Sequence, residues 1–404
     1  MKALAVATPH DPRHGPRVRV VHAITKYPPA TGGLEAHVQS LAVGLRARGL
    51  DARVVASDLR RHHEPVLHVA PGEEAGDGVP VVRLPTVGAG TRRLRIPAMV
   101  ERLIAERPDV LVAWDVWSSA WASASEAARR LGVPLVASPI FHERSPGWTP
   151  FLREACARLP DRTHVLFHTG WEEKRLAELG CRFASTGLHT PSADLREHAA
   201  ASAGPLPPGV PEGRRLVSLV GRVTHSKGID VVLRAFAEAH ERLAVEAPTE
   251  AARLHLVVAG FVDSDERFEP DAERLGLGRR VSFVYDRPRR EILSLLRATE
   301  VFALPSRAEA FGIVVLEAWA QGCLVLVSDR SALPHVVSHG VDGLVSPLEG
   351  FADALLGALR LRGTQERERL VAAGRRNVRE RYERERGIDA FVGILERVVQ
   401  TSAR

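Results

Sequence analysis

The chain has 404 residues, of which 45% are hydrophobic and 26% charged, with a formal net charge of +6. This length is expected to form two domains rather than one. The few, widely separated cysteines argue against a disulfide framework or a zinc site, and the interspersed acidic and basic residues argue against a nucleic-acid partner.

Targeting signals are missing from the sequence pattern. No apolar stretch approaches the length of a membrane span, and the first residues lack a signal-peptide core. We therefore expect a soluble, cytoplasmic protein that could rest peripherally on the inner face of a membrane. Residues 1–16 are interpreted as an irregular extension. Arg92, Arg93 and Arg95 open a predicted amphipathic helix and could contact acidic lipid, with a solvated helix face as the alternative.

Short apolar strands alternate with helices in the first half of the chain. Arg17–Thr25 is predicted to be a buried strand, and Leu34–Arg48 the helix after it, ended by Gly49. The further strands predicted here are Ala52–Ser57, Val79–Leu84, Val110–Ala113, Pro134–Ala137 and Val165–Phe167. This alternation indicates a doubly wound parallel sheet, and we expect a Rossmann-like domain at residues 1–190.

A stretch rich in proline and alanine, residues 191–213, is predicted to be an interdomain linker. A second alternation follows, and a second Rossmann-like domain is expected at residues 214–384. Its predicted strands are Leu216–Val220, Leu254–Ala259, Val281–Tyr285, Val301–Leu304 and Leu324–Val327. The tail from Gln365 to Arg404 is predicted to be helical, with its part from about 385 packing back on the first domain.

Two motifs in the second half indicate a diphosphate ligand. The loop from Gly221-Arg222 to Lys227-Gly228 follows a predicted strand and precedes a helix, which offers two cations at a helix N-terminus. In the run from Glu309 to Glu317, Phe311-Gly312 marks another helix start. One glutamate before that start and one inside it can reach groups on either side of a diphosphate, as in a sugar nucleotide. Solvated loop residues and a glutamate that complements the helix dipole are the alternatives.

Together with Gly32-Gly33-Leu34-Glu35, these motifs make the chain resemble a retaining glycosyltransferase of family 4, in the GT-B superfamily, from about residue 17 to 385. The resemblance implies an α/β fold of two doubly wound Rossmann-like domains facing a central cleft. It implies that residues 1–190 bind the acceptor and that residues 214–384 bind the nucleotide sugar. It implies transfer of a sugar from a nucleoside diphosphate sugar, UDP- or GDP-linked, to a hydroxyl of a glycan, glycolipid or secondary metabolite. The sugar nucleotide is a co-substrate, and no cofactor or metal is expected.

The resemblance also implies roles for individual residues. His142 and Glu309 match the family's catalytic residues; Glu309 would contact the transferred sugar near the reacting carbon. The residues that match the donor-diphosphate site are Gly33, Arg222, Lys227, Gly312, Ile313 and Val314. The residues that match sugar, ribose or base contacts are Phe311, Glu317 and, loosely, Arg287.

The acceptor site is less sharply indicated. Trp114, Trp117 and Trp121 cluster near one predicted strand, and Trp148 follows in a later loop. Trp114, Trp117 and Trp148 could stack on an acceptor ring, with core packing as the alternative.

Departures from the family pattern bear on the donor. Tyr285 stands where glycine is common, and the loop after Val327 lacks the usual glycines and glutamate. Asp263-Ser-Asp265 imitates a metal-binding pair, but Arg222 and Lys227 already supply positive charge. A non-catalytic sugar-nucleotide-binding protein, or a phosphorylase or epimerase on the same fold, are the alternative functions.

Overall fold

The computed structural model of the chain describes residues 18–61, 67–88, 94–143, 146–201, 204–262 and 265–402. The predicted extension at residues 1–16, the pair Arg92 and Arg93, and Asp263 lie outside these ranges. The chain divides into two compact units, of which the first is Met1–Pro191 with Glu385–Arg404 and the second is Ser192–Arg384.

The first unit is built on an eight-stranded sheet. Its strands and those of a small separate pair are β1 (Arg19–Ala23), β2 (Asp51–Ser57), β3 (Leu59–Arg61), β4 (Leu67–His68), β5 (Gly72–Gly76), β6 (Val79–Leu84), β7 (Val110–Trp114), β8 (Leu135–Ser138), β9 (Thr163–Phe167) and β10 (Thr186–Leu188). The spatial order is β10-β9-β8-β7-β1-β2-β6-β5, with β3 and β4 paired apart from it. Neighbours run parallel except β5 and β6, which are antiparallel.

Helices cover the two faces of this sheet. Those that precede residue 191 are α1 (Gly33–Ala47), α2 (Met99–Ala105), α3 (Ser119–Leu131), α4 (Thr149–Ala157) and α5 (Gly170–Glu178). The apolar stripe of α1, which includes Val38, Leu41 and Leu45, shares a core with Ile388 and Phe391 near the end of the chain. The end of the chain is therefore part of this unit's core.

The second unit contains a six-stranded sheet in which the paired neighbours are parallel. Its strands are β11 (Arg215–Arg222), β12 (Leu254–Phe261), β13 (Val281–Tyr285), β14 (Thr299–Leu304), β15 (Leu324–Ser328) and β16 (Leu344–Ser346), in the order β13-β12-β11-β14-β15-β16. The helices are α6 (Leu195–Ala201), α7 (Ile229–Glu246), α8 (Pro248–Ala251), α9 (Glu269–Arg274), α10 (Arg289–Ala298), α11 (Ile313–Gln321), α12 (Leu333–Val336), α13 (Phe351–Arg360) and α14 (Gln365–Arg381); α15 (Arg384–Ser402) continues into the first unit.

The central strand β11 explains why this sheet is covered on both faces. Its side chains alternate: Val217 and Leu219 belong to one buried cluster, and Leu216 and Val220 to another. Successive residues of a strand point to opposite faces, so a continuous apolar run requires a core on each side. The GT-B-type architecture of two doubly wound halves is confirmed.

The tail, which was predicted to be helical, consists of two helices with a break between them. The α14 helix ends at Arg381, and α15 begins at Arg384. The N–H of Ala193 donates to the carbonyl of Tyr382 at 2.8 Å, and the N–H of Arg384 donates to the carbonyl of Ala193 at 3.1 Å. These two backbone groups bond to Ala193 instead of continuing the helical hydrogen-bond pattern, so the tail forms two helices.

Membrane-spanning helices were sought over the described ranges. None of the helices there combines enough length with enough apolar character to cross a bilayer.

Candidate active site

The two diphosphate motifs of the sequence lie side by side in the second unit. The loop that follows β11 contains Lys227, and the loop that follows β14 contains Glu309. Although β12 and β13 come between them in the chain, β11 and β14 are direct neighbours in the sheet. Parallel neighbours end at the same edge, where α/β sheets bind ligands. The N–H of Arg307 donates to the carbonyl of Ser226 at 2.7 Å and joins the two loops.

Lys227 and Glu309 are in direct contact. The Nζ of Lys227 donates to Oε1 of Glu309, and the two side chains are 18% and 9% exposed. Ser306 Oγ lies 3.3 Å from the same carboxylate oxygen. A cation and an anion predicted from separate motifs therefore meet at the carboxyl edge of the sheet, each largely out of water.

Arg222 lies at the end of β11, where its side chain is exposed. Over the ranges that the structure covers, no carboxylate pairs with it. The guanidinium can therefore accept a new anionic partner without breaking an existing ion pair among those residues.

A second ion pair fixes the shape of the same loops. The guanidinium of Arg307 donates to both oxygens of Asp230, at 2.8 and 2.9 Å, and to the carbonyl of His225 at 2.7 Å. Burial would raise the pKa of the Asp230 carboxyl, but hydrogen bonds from Arg307 and Arg234 outweigh it and lower that pKa to about 2. The sequence analysis did not find this pair; its only local signal was an acidic residue in the first turn of α7.

This pair predicts a pH-dependent loss of stability. The pKa of Asp230 is about 2 in the folded protein against a reference value of 3.8, so the folded state binds fewer protons between these values. The stabilisation is complete above about pH 4 and is lost as the pH falls towards 2. The difference in free energy of unfolding between the wild type and Asp230→Asn is expected to be largest near pH 7 and to shrink near pH 3, measured by urea denaturation.

Asp353→Asn is the matched control, since Asp353 is 74% exposed and pairs with Arg242 at the surface. Its effect is expected to be small at every pH. The wild type and Asp230→Asn differ in their free energy of unfolding. If this difference stays constant from pH 7 to pH 3, the role given to the ion pair between Arg307 and Asp230 is contradicted.

Gly228 permits the close approach of the two loops. Its φ is +73°, and a Cβ at this position would lie 1.9 Å from the carbonyl oxygen of Pro305. Both the backbone conformation and the space therefore require glycine at the start of α7.

Gly228→Ala is expected to destabilise the protein by about 2–4 kcal/mol, because left-handed strain and overpacking add. Gly363 separates the two contributions, since its φ is also +73° and nothing lies within 4 Å of its Cβ position. Gly363→Ala should therefore cost only about 1–2 kcal/mol. Chemical denaturation measures the loss of unfolding free energy in each variant. Equal losses in the two variants would refute the close contact between Gly228 and the Pro305 carbonyl.

The α11 helix begins directly after Gly312, whose φ is +87°. The predicted diphosphate contacts Ile313 and Val314 are in its first turn, where backbone N–H groups have no partner within the helix. The Phe311 side chain is 3% exposed and packs edge-on against Tyr382 at 5.8 Å between ring centroids.

Glu317 lies further along α11 and is held by an arginine that the sequence analysis missed. Nη1 of Arg289 lies 2.5 Å from Glu317 Oε1, and its Nε lies 2.6 Å from Glu197. Burial would lower the pKa of the Arg289 guanidinium, but the two carboxylates raise it above its ordinary value. The predicted base contact Arg287 instead pairs with Glu291 at 2.8 Å.

The first unit contains the other predicted site residues. Gly33 opens α1, and the nearby Glu35 carboxylate lies 3.7 Å from Nζ of Lys26. His142 is half-buried, with Nδ1 3.4 Å from the carbonyl of Ile140 and its ring 6.2 Å from that of Trp117.

A buried carboxylate supports the His142 loop. Glu172 is fully buried and accepts the N–H of Phe141 at 2.6 Å and that of His168 at 2.8 Å. Burial raises the pKa of Glu172 to about 7, while the two backbone N–H groups act to lower it. Glu172 thereby ties the backbone next to His142 to the start of α5, a link that no local sequence pattern indicated.

The tryptophans divide between core and surface. Trp114 belongs to β7, is 1% exposed and donates from Nε1 to His22, so it packs in the core rather than offering a face to an acceptor. Trp117 is also buried, but Trp148 and Phe151 pack against it, and Phe151 is 42% exposed. Trp148 is thus the candidate acceptor residue nearest the surface.

Metal-binding clusters were also sought. Within the described ranges, no group of three or more His, Cys, Asp and Glu side chains is placed to hold a metal ion.

Two family models match successive parts of the chain. The model described as "Glycosyl transferases group 1" matches residues 207–377, and "Glycosyl transferase 4-like domain" matches residues 32–217. A D-inositol 3-phosphate glycosyltransferase from Nocardia farcinica is 30% identical over 392 residues, or 89% of this chain and 83% of the relative. A protein of the same name from Corynebacterium aurimucosum is 34% identical over 180 residues, which is 43% of this chain and 40% of that protein.

Solved structures share the fold. A sucrose-phosphate synthase from Thermosynechococcus elongatus superposes with a TM-score of 0.76 at 18% identity, over 95% of this chain and 100% of the other. HepE from Anabaena, in complex with UDP-glucose, gives a TM-score of 0.70 at 17% identity, over 94% of this chain and 99% of the other. At these identities the likeness establishes the architecture alone.

Proposed function

The chain belongs to the group 1 glycosyltransferases, of glycosyltransferase family 4, and we propose that it transfers a hexosyl group from UDP-sugar to a hydroxyl of a sugar or phosphosugar acceptor, with retention and without a metal. The observation that carries the proposal is the contact between Lys227 and Glu309 at the carboxyl edge of the second sheet. It places a cation for the leaving diphosphate beside an anion for the reacting sugar.

The leaving group is a diphosphate that gains negative charge as its bond to the anomeric carbon breaks. Lys227, the exposed guanidinium of Arg222 and the first turn of α11 after Gly312 supply positive potential for that charge. Lys227 forms an ion pair with Glu309. The diphosphate would bind Lys227 as a second anion beside Glu309, and the same Glu309 carboxylate would orient the sugar.

Retention follows if the acceptor attacks from the face that the diphosphate leaves. The bond from the anomeric carbon to the diphosphate oxygen breaks with both electrons on the diphosphate, and a new bond forms to the acceptor oxygen. The acceptor proton then passes to a diphosphate oxygen. Glu309, largely buried and anionic, would stabilise the positive charge that develops on the sugar between these events.

Similar proteins support the choice of substrates. HepE was solved with UDP-glucose, and the relatives are named for D-inositol 3-phosphate. Glu317 is the proposed ribose ligand, and binding of the ribose would compete with Arg289 for its oxygens. A uridine diphosphate sugar and a phosphorylated polyol are therefore the first pair to test.

The experiment has two stages. Thermal-shift screening against UDP-, GDP-, ADP- and dTDP-glucose is expected to show the largest rise in melting temperature with the UDP-sugar. Turnover with D-inositol 3-phosphate is then followed by NMR, and the product is expected to keep the anomeric configuration of the donor. An inverted product would refute retention, and donor binding without transfer to any acceptor would favour a non-catalytic sugar-nucleotide-binding protein.

A further inference from the structure

A cavity of about 480 Å³ lies at the opposite edge of the second sheet from the proposed donor site. It is formed where β11, β12 and β14 begin, and α10 and α11 end beside it. Since β11 has eight residues, its two ends, Arg215 and Arg222, are separated by about 23 Å. A ligand in this cavity is therefore distinct from the donor diphosphate.

The lining of the cavity is strongly cationic. Its charged lining residues are Arg214, Arg215, Arg253, Arg297, Glu300, Arg362, Arg367 and Arg375. Glu250 adds a second carboxylate by pairing with Arg215 and Arg362, at 2.9 and 3.1 Å. Seven guanidinium groups thus face two carboxylates, and most of the positive charge is not compensated by these neighbours.

Part of the arginine set is held in place by the protein. Arg215, whose side chain is 4% exposed, contacts Glu300 at 2.6 Å. Arg367 donates to the Glu300 carbonyl at 2.9 Å, and Arg375 donates to the Gln321 carbonyl at 3.2 Å. A guanidinium has five N–H donors, so Arg367 and Arg375 keep donors beyond these contacts. Arg215 uses four of its five donors within the protein, and its role is to position the lining.

Two further arginines of the cavity are not held by ion pairs within the described part of the chain. Arg253 and Arg297 are exposed, and neither forms an ion pair with any residue in the described ranges. Arg253 precedes β12 and Arg297 lies in the last turn of α10, so rigid elements bring them to the same cavity.

We propose that this cavity binds a small anion that carries at least two phosphate groups. Guanidinium groups match phosphate oxygens in bidentate geometry, and several of them in one cavity favour a multiply charged anion over a single carboxylate. The volume is within the range of small-molecule sites. The phosphates can belong to a free metabolite or to a lipid headgroup.

Calorimetric titration of the full chain with inorganic pyrophosphate tests the site. The measurement uses an Arg222→Ala/Lys227→Ala background, so that the proposed donor site does not contribute. Adding Arg253→Ala and Arg297→Ala is expected to weaken pyrophosphate binding at least about tenfold, since each lost charge-assisted contact contributes substantially. Arg376→Ala is the matched control, because Arg376 is exposed on α14 next to Arg375 but does not line the cavity.

The affinity for pyrophosphate decides whether Arg253 and Arg297 form part of a binding site. A dissociation constant for pyrophosphate that is the same with and without Arg253 and Arg297, at an unchanged melting temperature, overturns the proposal. Sedimentation with phosphatidylcholine vesicles that contain phosphatidylinositol 4-phosphate, a lipid with two phosphate groups, distinguishes the sources. Loss of vesicle binding in the Arg253→Ala/Arg297→Ala variant assigns a lipid headgroup, and pyrophosphate binding without vesicle binding assigns a free ligand. Sugar-nucleotide binding in that variant should stay normal, so this test is independent of the donor site.

Discussion

Lys227→Ala is expected to lower kcat/KM by about 100-fold or more. The lysine Nζ is fixed beside Glu309 by the two loops, so it needs little rearrangement to meet the leaving diphosphate. A fixed charge aimed at a developing charge contributes about 3–4 kcal/mol to transition-state stabilisation. Steady-state kinetics with the donor identified by thermal shift measures the loss.

Lys174→Ala serves as the control for Lys227→Ala, since Lys174 is an exposed lysine on α5 in the first unit. Both variants should unfold cooperatively, and only Lys227→Ala should lose activity. Wild-type kcat/KM in Lys227→Ala would remove this lysine from the mechanism.

Glu309→Gln is expected to lower kcat by a similar factor, about 100-fold, with a smaller change in KM. Glutamine keeps the shape of the side chain but removes the negative charge that would face the sugar as positive charge develops on it. Because the negative charge acts mainly in the transition state, its removal is expected to lower kcat more than it changes KM. Glu349→Gln is the control, as Glu349 is 77% exposed and only loosely paired with Arg330.

A double-mutant cycle separates two roles for Glu309. If Glu309 only holds Lys227 in place, Lys227→Ala/Glu309→Gln should be no worse than the more damaged single variant. If Glu309 also acts on the sugar, the double variant should lose considerably more activity than either single one. We expect the second result, and the first would restrict Glu309 to positioning Lys227.

The sequence predicted five of the six strands described in the second unit and missed the short edge strand β16. Leu216–Val220 was predicted, and β11 extends over Arg215–Arg222. A strand buried on both faces must be a continuous apolar run, so its pattern is visible locally. The contact between Lys227 and Glu309 was harder to derive, because the residues are 82 positions apart and meet only since β14 pairs with β11.

Other features depended on details that the local pattern does not contain. Arg287 and Arg289 both follow β13, but Arg289 begins α10 and reaches Glu317, while Arg287 pairs with Glu291. Each helical residue turns the side-chain direction by about 100°, so the choice depends on where the helix begins. The break after α14 likewise depends on a distant segment, since Ala193 takes the backbone bonds of Tyr382 and Arg384.

The most direct test of the diphosphate site compares two ligands by calorimetry: the nucleoside diphosphate that stabilises the protein most, and its parent nucleoside. In the wild type, the diphosphate should add at least about 100-fold to affinity, since we propose that Arg222, Lys227 and the start of α11 bind the phosphates. In Arg222→Ala/Lys227→Ala this advantage should largely disappear while nucleoside affinity is kept. The same diphosphate advantage in both proteins would contradict the proposed site.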